Sequence, residues 1–303
     1  MTASSAIADV STATSITTIR IPDRCTQVAL CGGPYSNFGA VEAFLAATQE
    51  IGDRFCLGDI GGFGPLPERT IALLREGNVQ CLQGNYDSAI GLGERDCGCG
   101  YTDPRDREFA QISYDYTYAH VGDTSREWLR QLPALIRVEW RDRRILLCHG
   151  SPVRTNEFVW ESQTDDERIL KWLQAFEVDG ICATHSGIPW VRWVTRSLSD
   201  KGNSLSGSSA RGFWANVGVL GRPAHDRTPR VSYGLLTFPL DADIPTPELV
   251  SLAYDVEPVV AAMRSEGLPE EFCESLQTGL WTTCAEILPA VEKEPRSRFG
   301  ILA

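Results

Sequence analysis

The sequence predicts an α/β protein built on a largely parallel sheet, and three observations carry that prediction. Short apolar runs alternate with helix-patterned stretches from residue 26 to residue 85. Each run stops at a Gly-rich turn: GGPYSN (32–37), GDIGGFGP (58–65) and GNYD (84–87). The chain has 303 residues, 43% of them hydrophobic, which suits one large domain, since a chain of about 300 residues buries about 75% of its unfolded surface. A strand–helix–strand rhythm of this kind implies right-handed crossovers and parallel neighbours.

The elements follow in order. TQVALCG (26–32) reads as a strand and FGAVEAFLAATQEI (38–51) as a helix, with Val41, Phe44, Leu45 and Ile51 on one side. RFCLGDI (54–60) is a second strand. PERTIALLREG (67–77) is a helix with Pro at its start and Gly at its end. VQCLQGN (79–85) is a third strand. Residues 94–124, rich in turn formers and tyrosines, break the rhythm and read as an ordered insertion over or beside a pocket. SREWLRQLP (125–133) is a short helix, and IRVEWRDRRILLCHG (136–150) a hairpin. TDDERILKWLQAF (164–176) is helical, DGICATHSGIPWVRWV (179–194) is strand–loop–strand, and SDKGNSLSGSSARG (199–212) is a flexible loop. Further strands fall at 213–223, 230–238 and 248–256, and helices at 258–280. The domain is expected over 25–290, with tails at 1–24 and 291–303.

Composition excludes several classes. With 28 Lys and Arg against 40 Asp and Glu, the net charge is −12, which argues against a broad nucleic-acid footprint. No apolar run approaches the ~18 residues that span a bilayer. The N-terminal segment lacks a basic start and an apolar core, so it does not read as a secretory signal. A cytoplasmic location follows as the expectation, and with it ten reduced cysteines used mainly as core residues. Cys97-Gly98-Cys99 reads as a pair of turn cysteines, with a separate metal or redox site shared with Cys31 or Cys284 as the alternative. His120 and His225 are expected at the surface.

Four strand ends share one chemical character: GD (58–59), GN (84–85), CHGSP (148–152) and THSG (184–187). Strand ends of a parallel sheet converge at one edge, where ligands bind. Asp59, Asn85, His149 and His185 are therefore expected to meet. One carboxylate, one amide and two imidazoles suit a divalent Mn, Fe or Zn ion.

These segments resemble the calcineurin-like metallophosphoesterases, in particular a compact bacterial branch that reads GD-x4-GP-x-P, GN-[HY]-D, HGSP, GHTH and NPGSVG. The matching segments are GDIGGFGPLP (58–67), GNYD (84–87), HGSP (149–152), THSG (184–187) and NVGVLGRP (216–223), with YDVEPVVAAMRSEGLP (254–269) similar to that branch's last strand and helix. The resemblance covers residues 27 to 270. It implies a four-layer α/β/β/α sandwich and, in that family, two metal ions that clamp a phosphate and activate water.

The departures are patterned. The family's D-x-H-G-N falls on Gly33-Pro34-Tyr35-Ser36-Asn37, so its Asp is Gly33 and its His is Tyr35. The last His of GHTH is Gly187, the His of GNHD is Tyr86 and the Ser of NPGSVG is Val219. All three ligands peculiar to one ion are absent, while the four for the other stand at Asp59, Asn85, His149 and His185. The resemblance thus implies a hydrolase of a phosphate mono- or diester that uses one divalent ion per chain. Its partner would be a small phosphorylated substrate, with Tyr86, Asn37 and Arg222 assisting by hydrogen bond or charge. Two alternatives are a degenerate member that binds a phosphorylated ligand without hydrolysis, and a mononuclear hydrolase or lyase acting on a non-phosphate substrate.

Overall fold

A computed structural model describes residues 16–195, 211–239 and 244–299. Its strands, in chain order, are β1 (Ile16–Arg20), β2 (Gln27–Cys31), β3 (Asp53–Cys56), β4 (Gln80–Cys81), β5 (Leu135–Trp140), β6 (Arg143–Leu147), β7 (Gly180–Ala183), β8 (Trp190–Thr195), β9 (Arg211–Asn216), β10 (Val231–Thr237) and β11 (Thr246–Leu252). The helices are α1 (Phe38–Ala47), α2 (Pro67–Glu76), α3 (Asn85–Leu92), α4 (Pro104–His120), α5 (Asp123–Gln131), α6 (Asp166–Ala175), α7 (Glu257–Ser265), α8 (Glu270–Thr278) and the short α9 (Ala290–Lys293).

Two mixed sheets form. One has the order β1-β5-β6-β7-β9-β8, the other β11-β10-β2-β3-β4. Their parallel blocks, β6-β7-β9 and β2-β3-β4, are the parts that the strand–helix alternation generates. Leu30, Phe55, Leu57, Ile145, Leu147, Phe213 and Leu236 interleave between the sheets, each worth about 1.5–3 kcal/mol when fully buried. The outer face of the second sheet packs Ala29, Cys31, Cys56 and Cys81 against α1, α2, α3 and α5. The outer face of the first packs Leu146, Ile181 and Trp214 against Ile169, Trp172 and Leu173 of α6. Helix, sheet, sheet and helix thus give the expected four layers.

Local chemistry sets several helix starts. Asn37 Oδ1 accepts the Ala40 N–H at the start of α1. Asp103 caps α4 through the N–H groups of Arg105 and Asp106, with Pro104 at the first helical position. Asp165 caps α6.

Several expectations need correction. Residues 16–20, expected in a tail, form β1 and pair in parallel with β5. The first helix ends at Ala47, four residues short of Ile51. GNYD opens the helix α3, and the tyrosine-rich insertion holds the 17-residue helix α4. His225 is buried: its Nδ1 accepts the Trp281 N–H and its Nε2–H donates to Lys293 O. Cys97 and Cys99 pair with each other, and the other eight cysteines are free. The loop expected at 199–212 lies outside the described residues up to position 210.

Candidate metal centre

Both sheets contribute to one edge. Asp59 follows β3 and Asn85 follows β4; His149 follows β6 and His185 follows β7. The close approach of the first two needs glycine. A Cβ on Gly84 would lie 2.3 Å from Asp59 Oδ1, and one on Gly58, at φ +85, would lie 2.2 Å from Gly84 N. Asp59 itself is held at φ +55. Asp87 holds that turn in place: Oδ2 accepts the N–H of Asp59 and of Gly84, both at 2.8 Å, and Oδ1 accepts the Ile60 N–H at 3.0 Å.

The side chains then face one point. His149 Nδ1–H donates to Leu57 O at 2.7 Å, because a carbonyl can only accept, and this turns the Nε2 lone pair inward. His149 Nε2 lies 3.2 Å from Asp59 Oδ2 and 3.0 Å from His185 Nδ1. Asp59 Oδ1 is occupied by the Tyr86 N–H at 3.0 Å, which leaves Oδ2 to the centre. Ligand atoms of Asp59, His149 and His185 all lie within 4.8 Å of one another. Asn85 Nδ2 donates to Cys97 O, and its buried Oδ1 has no hydrogen-bond partner.

This donor set fits a divalent ion. With bonds near ~2.1 Å, two nitrogens on one ion stand about 3.0–3.4 Å apart, which matches the observed spacings. Three inward acceptors and an orphaned amide oxygen, all at least nine-tenths buried, call for a cation. The electrostatics agree. Burial alone would raise the Asp59 carboxyl, but the His149 charge and hydrogen bond outweigh it and hold it below its ordinary value. Burial opposes a charge on His149, but Asp59 beside it raises its pKa overall, so an ion arriving there would displace a proton from Nε2. His185 is pushed down to about 3 by burial and by His149 beside it, so it stays neutral and able to ligate.

The positions of the absent second set are surrounded by bulk. A Cβ on Gly33 would lie 2.7 Å from Val219 and 2.9 Å from the Tyr35 ring. A Cβ on Gly187 would lie 3.0 Å from the Trp281 indole and 3.6 Å from Val219. Phe158 packs on His185, with ring centroids 4.4 Å apart.

The remaining sequence candidates point elsewhere. Tyr86 OH is buried and bonded to Ser113 Oγ at 3.1 Å and Ala110 O at 3.3 Å, and burial pushes its pKa far above the ordinary range. Asn37 Nδ2 donates to Tyr254 OH and Gly221 O. Arg222 is buried with its guanidinium over Trp281 at 4.2 Å and Phe63 at 5.4 Å, donating to Thr283 O. None of these polar groups is brought into the centre. Sequence reasoning missed Asp87, although it closes the GNYD motif. It also missed Phe158 and Trp281, which reach the site from distant segments with no local signal.

Residues 26–216 match the family described as calcineurin-like phosphoesterase. An uncharacterised protein of Methanocaldococcus jannaschii is 25% identical over 259 residues, covering 84% of this chain and 98% of that one. A crystal structure of a metallophosphoesterase from Sphaerobacter thermophilus is similar, with TM-score 0.60, 25% identity and coverage of 84% and 99%. A hypothetical protein from Pyrococcus horikoshii shares the fold, with TM-score 0.65, 21% identity and coverage of 84% and 98%.

Proposed function

Since the chain belongs to the calcineurin-like phosphoesterase family, we propose that it hydrolyses a phosphate mono- or diester with one divalent ion held by Asp59, Asn85, His149 and His185. One observation supports this: buried ligand atoms of Asp59, His149 and His185, from two sheets, lie within 4.8 Å of one another, and the buried Asn85 Oδ1 is left without a partner. A single ion is assigned because Tyr35, Val219 and Trp281 crowd the glycines where the second set of ligands would stand.

An ion bound there supplies Lewis acidity toward a phosphoryl oxygen and lowers the pKa of water. The chain's own residues do the rest. Leu57 O fixes the His149 tautomer. The Tyr86 N–H fixes which Asp59 oxygen faces inward, so Tyr86 serves as a positioning residue through its backbone. Asn37 positions the GGPYSN loop against residue 221. Phe158 keeps bulk water off His185 and so strengthens the electrostatics of the site. Arg222 adds a fixed positive charge to the wall that Trp281 forms.

The test is elemental analysis of protein purified without chelator, beside His185→Ala, with turnover of an aryl phosphate and a bis-aryl phosphate in added Mn. One ion per chain, lost in His185→Ala, and turnover lost in His149→Ala are expected. An ion held without turnover of either ester would leave the binding or non-phosphate readings. No ion after loading would overturn the proposal.

A further inference from the structure

The loop that holds Asn85 carries chemistry that the proposed hydrolysis does not use. Asn85 Nδ2 donates to Cys97 O at 2.8 Å and to Cys99 Sγ at 3.2 Å. Those two cysteines are joined to each other, and they are the only pair so joined among ten. The loop is further pinned by Asn156 Nδ2 donating to Gly98 O and by Gly98 N donating to Asp96 Oδ1. A cavity of about 210 Å³ lies against the pair, lined by Asp96, Gly100, Tyr101, Arg107 and Gln111 among others. The two cysteines are themselves buried, at 6% and 7% exposure, and this cavity is the route by which a small thiol would reach their bond.

We propose that Cys97–Cys99 is a reversible redox latch that sets the orientation of the Asn85 amide and so the retention of the ion. The proposal rests on the one-ion reading. A disulfide sulfur has no hydrogen to give, so it accepts only. In the oxidised form both partners of the amide, Cys99 Sγ and Cys97 O, are acceptors. They select Nδ2 and leave Oδ1 without a hydrogen-bond partner, free to serve an ion. Reduction gives Cys99 a weak S–H donor, which competes for Oδ1, and opens the ring that shapes the loop.

The exchange balances. A dithiol reductant attacks one sulfur as its thiolate, the Cys97–Cys99 bond breaks, and a mixed disulfide forms. The second thiol of the reductant then displaces the protein sulfur. Each cysteine takes one proton, two electrons have passed to the protein, and the reductant leaves as its own disulfide. Oxidised glutathione runs the sequence in reverse.

Two readouts test the latch, neither of them activity. First, alkylation of the unfolded, unreduced protein with N-ethylmaleimide should add eight labels, and ten after reduction. Mild dithiothreitol on the folded protein should open labelling at Cys97 and Cys99, located by peptide mass. Second, the Kd for Mn²⁺ and Zn²⁺, measured by chelator competition, should weaken by about 10–100-fold on reduction, the usual effect of losing a partner of a metal ligand. Cys97→Ser/Cys99→Ser should show the weak value in both conditions. Ten labels without reduction, or equal Kd in the two verified states, would overturn the latch and leave the ion site standing. No ion binding in either state would overturn both.

Discussion

Trp281 offers a quantitative test of how the second half of the centre has been filled. Its side chain is 9% exposed, donates Nε1–H to Pro223 O at 2.7 Å, and stacks beneath the Arg222 guanidinium. Trp281→Ala should cost about 3–5 kcal/mol, the range for truncating a buried aromatic, with the orphaned Pro223 carbonyl favouring the upper end. Gly187→Ala meets two penalties. Gly187 sits at φ +71, which costs an alanine about 1–2 kcal/mol. The new Cβ at 3.0 Å from the indole adds overpacking of about 1–3 kcal/mol. Only the second penalty disappears when Trp281 is gone. The double variant should therefore be less destabilised than the sum of the singles by about 1–3 kcal/mol. The assay is urea unfolding of the chelated protein in all four forms of the cycle. Additivity within about 0.5 kcal/mol would refute the claim that Trp281 fills the space beside Gly187.

Two further outcomes are expected. Asp87→Asn turns one of three accepting contacts into a donor facing an N–H; at pH 8, above the value of about 7 to which burial and the neighbouring Asp59 raise Asp87, it also removes the charge from the other two and should cost about 2–4 kcal/mol in urea unfolding of the metal-free protein, and a change below about 0.5 kcal/mol would refute the bracing role of Asp87. His225 is held neutral, chiefly by burial, so its pKa is depressed in the folded state. The unfolded chain binds the proton first, from its ordinary pKa of about 6.5 downward, so stability falls as pH drops through that window. The thermal midpoint of His225→Asn should therefore fall less steeply between pH 7 and 5 than that of the parent, and parallel slopes would contradict the assignment.

The parallel block β2-β3-β4 was legible, as was the meeting of Asp59, His149 and His185, because each sits where an apolar run meets a small residue, a purely local signal. The two sheets came from the resemblance, not from local signals, and the placing of every strand within them was not legible. β1 is a five-residue edge strand, ITTIR, three of its residues polar, and it gains its identity only by pairing with β5, Ile16 opposite Leu135 through Arg20 opposite Glu139. Asn85 as the first residue of α3 was hidden because a GN turn and a helix start look alike in sequence. His225 passed for a surface residue because its two partners, Trp281 and Lys293, are far away in the chain. Tyr86 stands at a family acid/base position, yet its phenol is taken up by Ser113 and Ala110 of α4. Motif matching locates a residue on the backbone; the direction of its side chain depends on what the rest of the chain leaves open.

The division of the four donors between the sheets has a consequence for assembly. Asp59 and Asn85 ride on one sheet, His149 and His185 on the other, and the relative position of the two is set by an apolar interlayer that includes Leu30, Phe55, Leu147 and Phe213, with a few polar ties such as His149 to Leu57 O. A shift of about one ångström between layers would leave every backbone ladder intact and still pull the donor pairs out of reach of a common ion, whose bonds tolerate only about 0.2 Å. An ion held by both pairs would not template an early intermediate, since such a grip needs both layers docked. It would act instead as a vernier on the sandwich, reading out at the rim whether the interlayer beneath has come into register.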